Sequence, residues 1–208
     1  MTIDDITSLN PKFWQLHNDP AVLLDGGALT LLTIQYNLCS GTIARYSKRR
    51  PELVALVEDL LQYRKQLRSA HLASTPSRSA DINLCFISGQ FMITELSHGL
   101  DIHNIETKAT MLPSGEFVLH TPAPSAAKWI FPMSHYFIPG ADTDELRFMP
   151  PTVPAGLPCV AVVFAKLIVD GEDRGHRPFV VPLNDGKQMC AGVESRYVPH
   201  LRFFEQDV

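Results

Sequence analysis

The stretch Ser74-Thr75-Pro76-Ser77-Arg78-Ser79, followed by Ile82-Asn83-Leu84-Cys85-Phe86-Ile87-Ser88-Gly89-Gln90-Phe91-Met92-Ile93-Thr94, decides the fold. The polar hexapeptide carries a proline and punctuates the chain. Before it, apolar residues recur at helical spacing. After it come short apolar runs separated by Gly, Pro and Asp. Helices first and strands second argue an α+β architecture rather than alternating α/β units. The boundary is drawn there: a helical region over 1–78 and a β-domain over 79–208, whose short strands suggest an antiparallel sheet or barrel.

Moving toward the N-terminus, Gly26-Gly27 opens a stretch from Ala28 to Ser47 that is apolar on most sides, as expected of a buried helix. Ser40-Gly41 is a point where that helix weakens. Pro51 suits the first residue of a new helix, along which Leu53, Val54, Leu56, Val57, Leu60 and Leu61 form an apolar face. Glu52, Glu58 and Asp59 precede Arg64, Lys65 and Arg68, a polarity that complements the helix dipole.

Moving toward the C-terminus, Ile105–Met111, a turn through Pro113 and Gly115, and Glu116–Thr121 read as a hairpin. Cys159–Val169 is a long β-branched run ended by Asp170-Gly171, and Pro178–Leu183 is a further strand. Between these lies the proline-rich Met133–Pro158, which has no period and reads as a loop or excursion.

The whole chain has 208 residues, of which 45% are hydrophobic, enough for a sizeable core. A formal net charge of -4 argues against a nucleic-acid partner. The one basic run, Arg45 with Lys48-Arg49-Arg50, reads either as a solvated helix end or as a contact to a phosphate. Cys39, Cys85, Cys159 and Cys190 lie far apart and include no CxxC pair, which suits a reduced, intracellular protein. Met1–Asn10 lacks a signal-peptide pattern and the chain ends without a Ser-Lys-Leu signal. No apolar run is long enough to span a bilayer. A cytoplasmic location and no membrane partner are the expectations.

Six segments then resemble, in order, the acyl-CoA oxidase and acyl-CoA dehydrogenase family. Thr94-Glu95-Leu96-Ser97-His98-Gly99 is similar to that family's Thr-Glu-Leu-Gly-His-Gly segment, which follows an apolar strand. Ile105-Glu106-Thr107-Lys108-Ala109-Thr110 resembles its Ile-Glu-Thr-x-Ala-Thr strand, and Glu116 to Pro122 the strand after it. Ala127-Lys128-Trp129, Ala161 to Gly175 and Pro178 to Leu183 continue the likeness, which covers about residues 20 to 198.

The resemblance implies an FAD-dependent α,β-dehydrogenation of an acyl-CoA. It implies that Thr94, Gly99 and Trp129 bind the cofactor, and that Ser97 and His98 face the acyl-CoA. A donor at Thr94 suits the chemistry, because hydride transfer to the flavin places negative charge beside a carbonyl oxygen. Two departures from the family stand out. Ile130-Phe131-Pro132-Met133 replaces an aromatic, Pro and Gly-Gly sequence, and Pro132 has no N–H to donate. The family's C-terminal helical bundle, which carries the catalytic carboxylate, is also not matched. The resemblance therefore implies a truncated member that acts as a homodimer or with a partner supplying the missing half.

Two other readings stay open from the residues. The acyl cleft could serve a non-redox isomerase- or cyclase-like reaction, with His98, Glu95 or Asp101 as acid or base. The chain could also be a non-catalytic half. No metal site is expected, since His98, His103 and His120 do not form a tight ligand cluster in sequence. Ser97, His98 and Asp101 lack a nucleophile elbow, so a hydrolase is not expected either.

Overall fold

The computed structural model describes residues 1–20, 24, 26–61, 87–128 and 158–195. The 78/79 boundary, residues 82–86 of the predicted first strand, residues 133–157 of the predicted loop, Cys85 and Trp129 lie outside the described residues.

Two N-terminal helices that the periodicity did not announce open the chain. Helix α1 (Ile3–Ser8) starts with a capping box: the Asp5 amide donates to Thr2 Oγ1, and the Thr2 amide donates to the Asp5 carboxylate at 2.7 Å. Helix α2 (Pro11–His17) starts on Asn10, whose side-chain oxygen accepts from the Lys12 and Phe13 amides. Asn10 Nδ2 also donates to Asp5 Oδ1, joining the two caps. That bond, with those from Thr2, holds the Asp5 carboxyl well below the usual carboxylate range.

The predicted helix over Ala28–Ser47 is present as three joined pieces: α3 (Gly26–Thr33), a π-helical segment (Ile34–Ser40) and α4 (Gly41–Ser47). The predicted weak point at Ser40-Gly41 is where the wide turns end. Wide turns rotate the helix face, and here Gln35 and Cys39 are buried on it. Gln35 Nε2 donates to the carbonyls of Leu60 and Ile87, and Gln35 Oε1 accepts from the Gly89 amide. Helix α5 (Glu52–Leu61) begins one residue after Pro51 and buries Val57, Leu60 and Leu61 as predicted.

The strands are β1 (Ser88–Met92), β2 (Lys108–Met111), β3 (Phe117–His120), β4 (Pro158–Val169) and β5 (Glu172–Asp185). The predicted β2–β3 hairpin forms, with Lys108 opposite His120 and Met111 opposite Phe117. The Asp170-Gly171 turn forms too; both residues have positive φ, as a two-residue hairpin turn requires. Strand β5 absorbs the predicted strand Pro178–Leu183 and keeps Pro178 and Pro182 within it, tolerable because, among the described residues, β5 pairs only with β4.

The sheet corrects one expectation. It is mixed rather than antiparallel, and among the described residues it is not closed into a barrel. Strand β4 pairs antiparallel with β5, while β1 and then β2 run parallel to it. Turn residues reveal hairpins, but a parallel pairing is set by contacts between distant segments and leaves no local mark.

Strand β4 is buried on both faces. Val160 and Val162 pack with Ile6, Ile43, Val57 and Leu60 of the helices. Cys159, Ala161 and Val163 pack with Met92 and Leu183 on the other side. This explains the unbroken apolar run, since a strand covered on both faces does not alternate. Gly89 is where β1 meets the π-helical segment: a Cβ there would lie 2.8 Å from Cys39 Sγ.

A candidate site at the latched loop after strand β1

The registers define an excursion. Met92 at the end of β1 lies opposite Val163, and Lys108 at the start of β2 lies opposite Lys166. Residues 93–107 therefore leave and rejoin the same edge of β4 within a three-residue step, about 10 Å at the rise of a strand. This loop holds most of the sequence-predicted site residues.

The neck of the loop is closed by Glu95, which is 1% exposed. Its Oε2 accepts from the Glu106 amide at 2.7 Å. Its Oε1 accepts from the Thr107 amide at 2.9 Å, from Thr107 Oγ1 at 2.6 Å and from Lys128 Nζ at 3.0 Å. Lys128 Nζ also donates to the Ile93 carbonyl. Backbone bonds from Leu96 to Ala127 and from Ser97 to Ser125 stitch the outgoing limb to the segment carrying Lys128.

Burial would raise the Glu95 pKa, but the bonds from Thr107, Glu106 and Lys128 outweigh it and hold the carboxyl below its ordinary value. Burial draws the Lys128 ammonium downward, and Glu95 opposes that.

The loop brings together some predicted residues and separates others. Thr94 is half-buried at the strand end, while Ser97 and Gly99 are exposed. His98 Nδ1 lies 3.0 Å from Ser97 Oγ and 3.3 Å from Glu95 Oε2. A serine–histidine–carboxylate relay needs its two partners on opposite ring nitrogens, and here both meet Nδ1, so no relay is formed. Asp101 instead accepts from Asn104 Nδ2 at 2.6 Å. Trp129 lies outside the described residues.

Glu95, His98 and Glu106 offer ligand atoms that all lie within 4.8 Å of one another. His103 and His120 are not in this group, and the His103 ring faces His176 at 6.4 Å between centroids. The cation already on Glu95 is Lys128. Two surface hollows, one beside Lys12 and Asp19 and one between Gly115 and Gly171, lie away from the loop, which presents an open rim. Glu106, Thr107 and Lys128 were given no role from sequence. Their signal was present, because they stand inside the Ile105–Thr110 and Ala127–Trp129 segments already singled out, but nothing local shows that they meet Glu95.

Fold and site define a helix-then-sheet module whose strand-end loop is latched by a buried ion pair. Known proteins then place it among the relatives of the acyl-CoA oxidases. An acyl-coenzyme A oxidase of Eremothecium gossypii is 38% identical over 104 residues, which is 50% of this chain and 12% of that protein. Acyl-coenzyme A oxidase 1 of Yarrowia lipolytica is 32% identical over 171 residues, 69% of this chain and 22% of that protein. The crystal structure of acyl-CoA oxidase 1 from Yarrowia lipolytica overlays with a TM-score of 0.47 at 26% identity, covering 82% of this chain and 20% of that one. No family model matches the chain. The resemblance read from the motifs is borne out, and the chain spans between a tenth and a quarter of the length of these relatives. Among the described residues no helix is long and apolar enough to cross a membrane.

Proposed function

We propose that this chain supplies one wall of the flavin and acyl-CoA site of an acyl-CoA oxidase-like flavoprotein. The observation that carries the reading is where the Thr94–Gly99 segment stands. The part of the chain that resembles the oxidase motif leaves β1 as an open rim, with Glu95 turned into the interior and Ser97 and Gly99 turned to solvent. Among the described residues nothing lies within 4 Å of the place where a Gly99 Cβ would be, and its φ is not in the left-handed region. Packing among the described residues does not call for glycine there, and a glycine suits close approach by a ligand.

In this reading FAD, when bound, supplies the hydride acceptor. Thr94 offers its hydroxyl or amide to a flavin carbonyl oxygen, Gly99 lets the ring or the acyl chain come close, and Ser97 and His98 line the acyl-CoA. The α-proton goes to a carboxylate that the resemblance assigns outside the matched region. A non-redox reaction with Glu95 as base is disfavoured, because its Oε2 already accepts from the Glu106 amide and its Oε1 from Thr107 and Lys128.

The test is the visible spectrum of the purified 208-residue chain after adding FAD and desalting. Retained flavin with quenched fluorescence, lost in Gly99→Val, supports the reading. Flavin that passes through with the spectrum of the free cofactor overturns it.

A further inference from the structure

We infer that Glu95 is a positioning residue whose buried carboxylate, with Lys128 as counter-ion, latches the neck of the 93–107 loop and so sets where Thr94 and Ser97–Gly99 stand. The topology creates the need. Strands β1 and β2 share one edge of β4, so the loop between them must leave and return across a gap of about 10 Å. Two limbs so close would splay without a tie.

Glu95 supplies the tie from the outgoing limb. It accepts from Glu106 and Thr107 on the returning limb and from Lys128 on a third segment. A carboxylate suits this place better than an amide. All its partners are donors, and a glutamine would turn an NH2 toward one of them.

Beyond the latch, backbone bonds from Leu96 to Ala127 and from Ser97 to Ser125 continue the tie to the segment carrying Lys128. Leu96, Ser97, Gly99, Leu100 and Asp101 are exposed. The neck therefore fixes the direction in which the rim residues project. Glu95 itself is enclosed, so it acts through Thr94 and the rim rather than on a ligand. The flavin part of this inference rests on the function proposed above; the latch stands on the geometry alone.

The experiment compares the 208-residue chain with Glu95→Gln, with the milder Thr107→Val, and with Glu52→Gln as a surface control. Among the described residues Glu52 pairs with exposed Arg50. Amide hydrogen exchange is followed for residues 96–104 and for β4, and FAD affinity is read by fluorescence quenching.

The expected result is exchange in 96–104 faster by about tenfold in Glu95→Gln, and faster to a smaller extent in Thr107→Val, with β4 protection unchanged. FAD affinity should fall by about tenfold or more in the same order, since small misplacements of a site are costly. Glu52→Gln should match the parent protein in both. Unchanged loop exchange in both neck variants overturns the latch. A loosened loop with unaltered FAD affinity overturns the positioning role while leaving the latch. A parent protein that binds no FAD overturns the flavin reading and the positioning role with it, and the exchange data then decide the latch separately. Should Glu95→Gln fail to fold, Thr107→Val carries both comparisons.

Discussion

Glu95 and Lys128 pair at 3.0 Å with the carboxylate side chain fully enclosed and the lysine side chain 8% exposed. Removing two charges from water is costly, and such a pair survives only where further hydrogen bonds saturate it. Here Thr107 and the Glu106 amide provide them. The pair is thus worth little as a net attraction and a great deal as a constraint, since losing either partner strands the other.

Lys128→Met should destabilise the protein by about 3–5 kcal/mol, because it leaves an uncompensated carboxylate in the interior. Adding Glu95→Gln should recover part of that loss, since the second change removes the stranded charge. Urea unfolding of the two single variants and the double variant checks this. A double variant whose loss equals the sum of the singles would show that the two side chains act independently.

Acid should act on the same carboxyl. Glu95 has a folded pKa below its ordinary value, so its contribution to stability is complete above the ordinary carboxylate pKa of about 4.3 and is lost as pH falls below it. Asp5, held down by Asn10, works in the same sense. Urea midpoints measured at successive steps below about pH 4.3 should fall more steeply for the parent protein than for Glu95→Gln or Asp5→Asn.

Gly89→Ala should cost about 1–3 kcal/mol, the range for overpacking a filled core. Its Cβ would meet Cys39 Sγ at 2.8 Å and Gln35 Oε1 at 3.1 Å. Cys39→Ala should relieve part of the loss by removing the sulfur. Thermal melts of the single and double variants measure this.

Gln35→Leu should be worse. It strips partners from the Leu60 and Ile87 carbonyls and from the Gly89 amide. At about 1–3 kcal/mol for each buried group left unpaired, a total of about 3 kcal/mol or more is expected. The loss should appear as a lower urea midpoint with an unchanged slope.

The thiols should divide by burial. Burial pushes Cys39 and Cys159 up to about 12, and the thiolate is the reactive form. Native protein treated with iodoacetamide should be labelled at the half-buried Cys190 well before Cys39 or Cys159, by peptide mass spectrometry. Equal labelling of Cys39 in the folded protein would show that the helix–sheet contact opens readily.

Much of the fold was legible where the signal is local. Pro113 with Gly115, and Asp170-Gly171, announced turns because few residue types take such conformations cheaply, and both hairpins are present. The apolar face of α5 followed from spacing alone. Helices α1 and α2 were missed although Thr2 with Asp5, and Asn10 with Pro11, are cap signals; the helices are short, and too few apolar repeats accompany them for a period to show. The rim residues Thr94, Ser97, His98 and Gly99 were named from sequence, but the latch beneath them was not.

By itself the sequence determined that helices precede strands, where the hairpin turns fall, and, through its resemblance to the acyl-CoA oxidases, the stretch in which the candidate site residues stand. The first two depend on backbone preference and side-chain period within a few residues, and the third rests on the resemblance to a family. Only the tertiary structure decided that β1 and β2 lie parallel along one edge of β4, that the chain between them is pinched into a loop, and that Lys128 reaches Glu95. Those are meetings of distant segments, and whether a charge is buried and paired depends on what the rest of the chain brings to it.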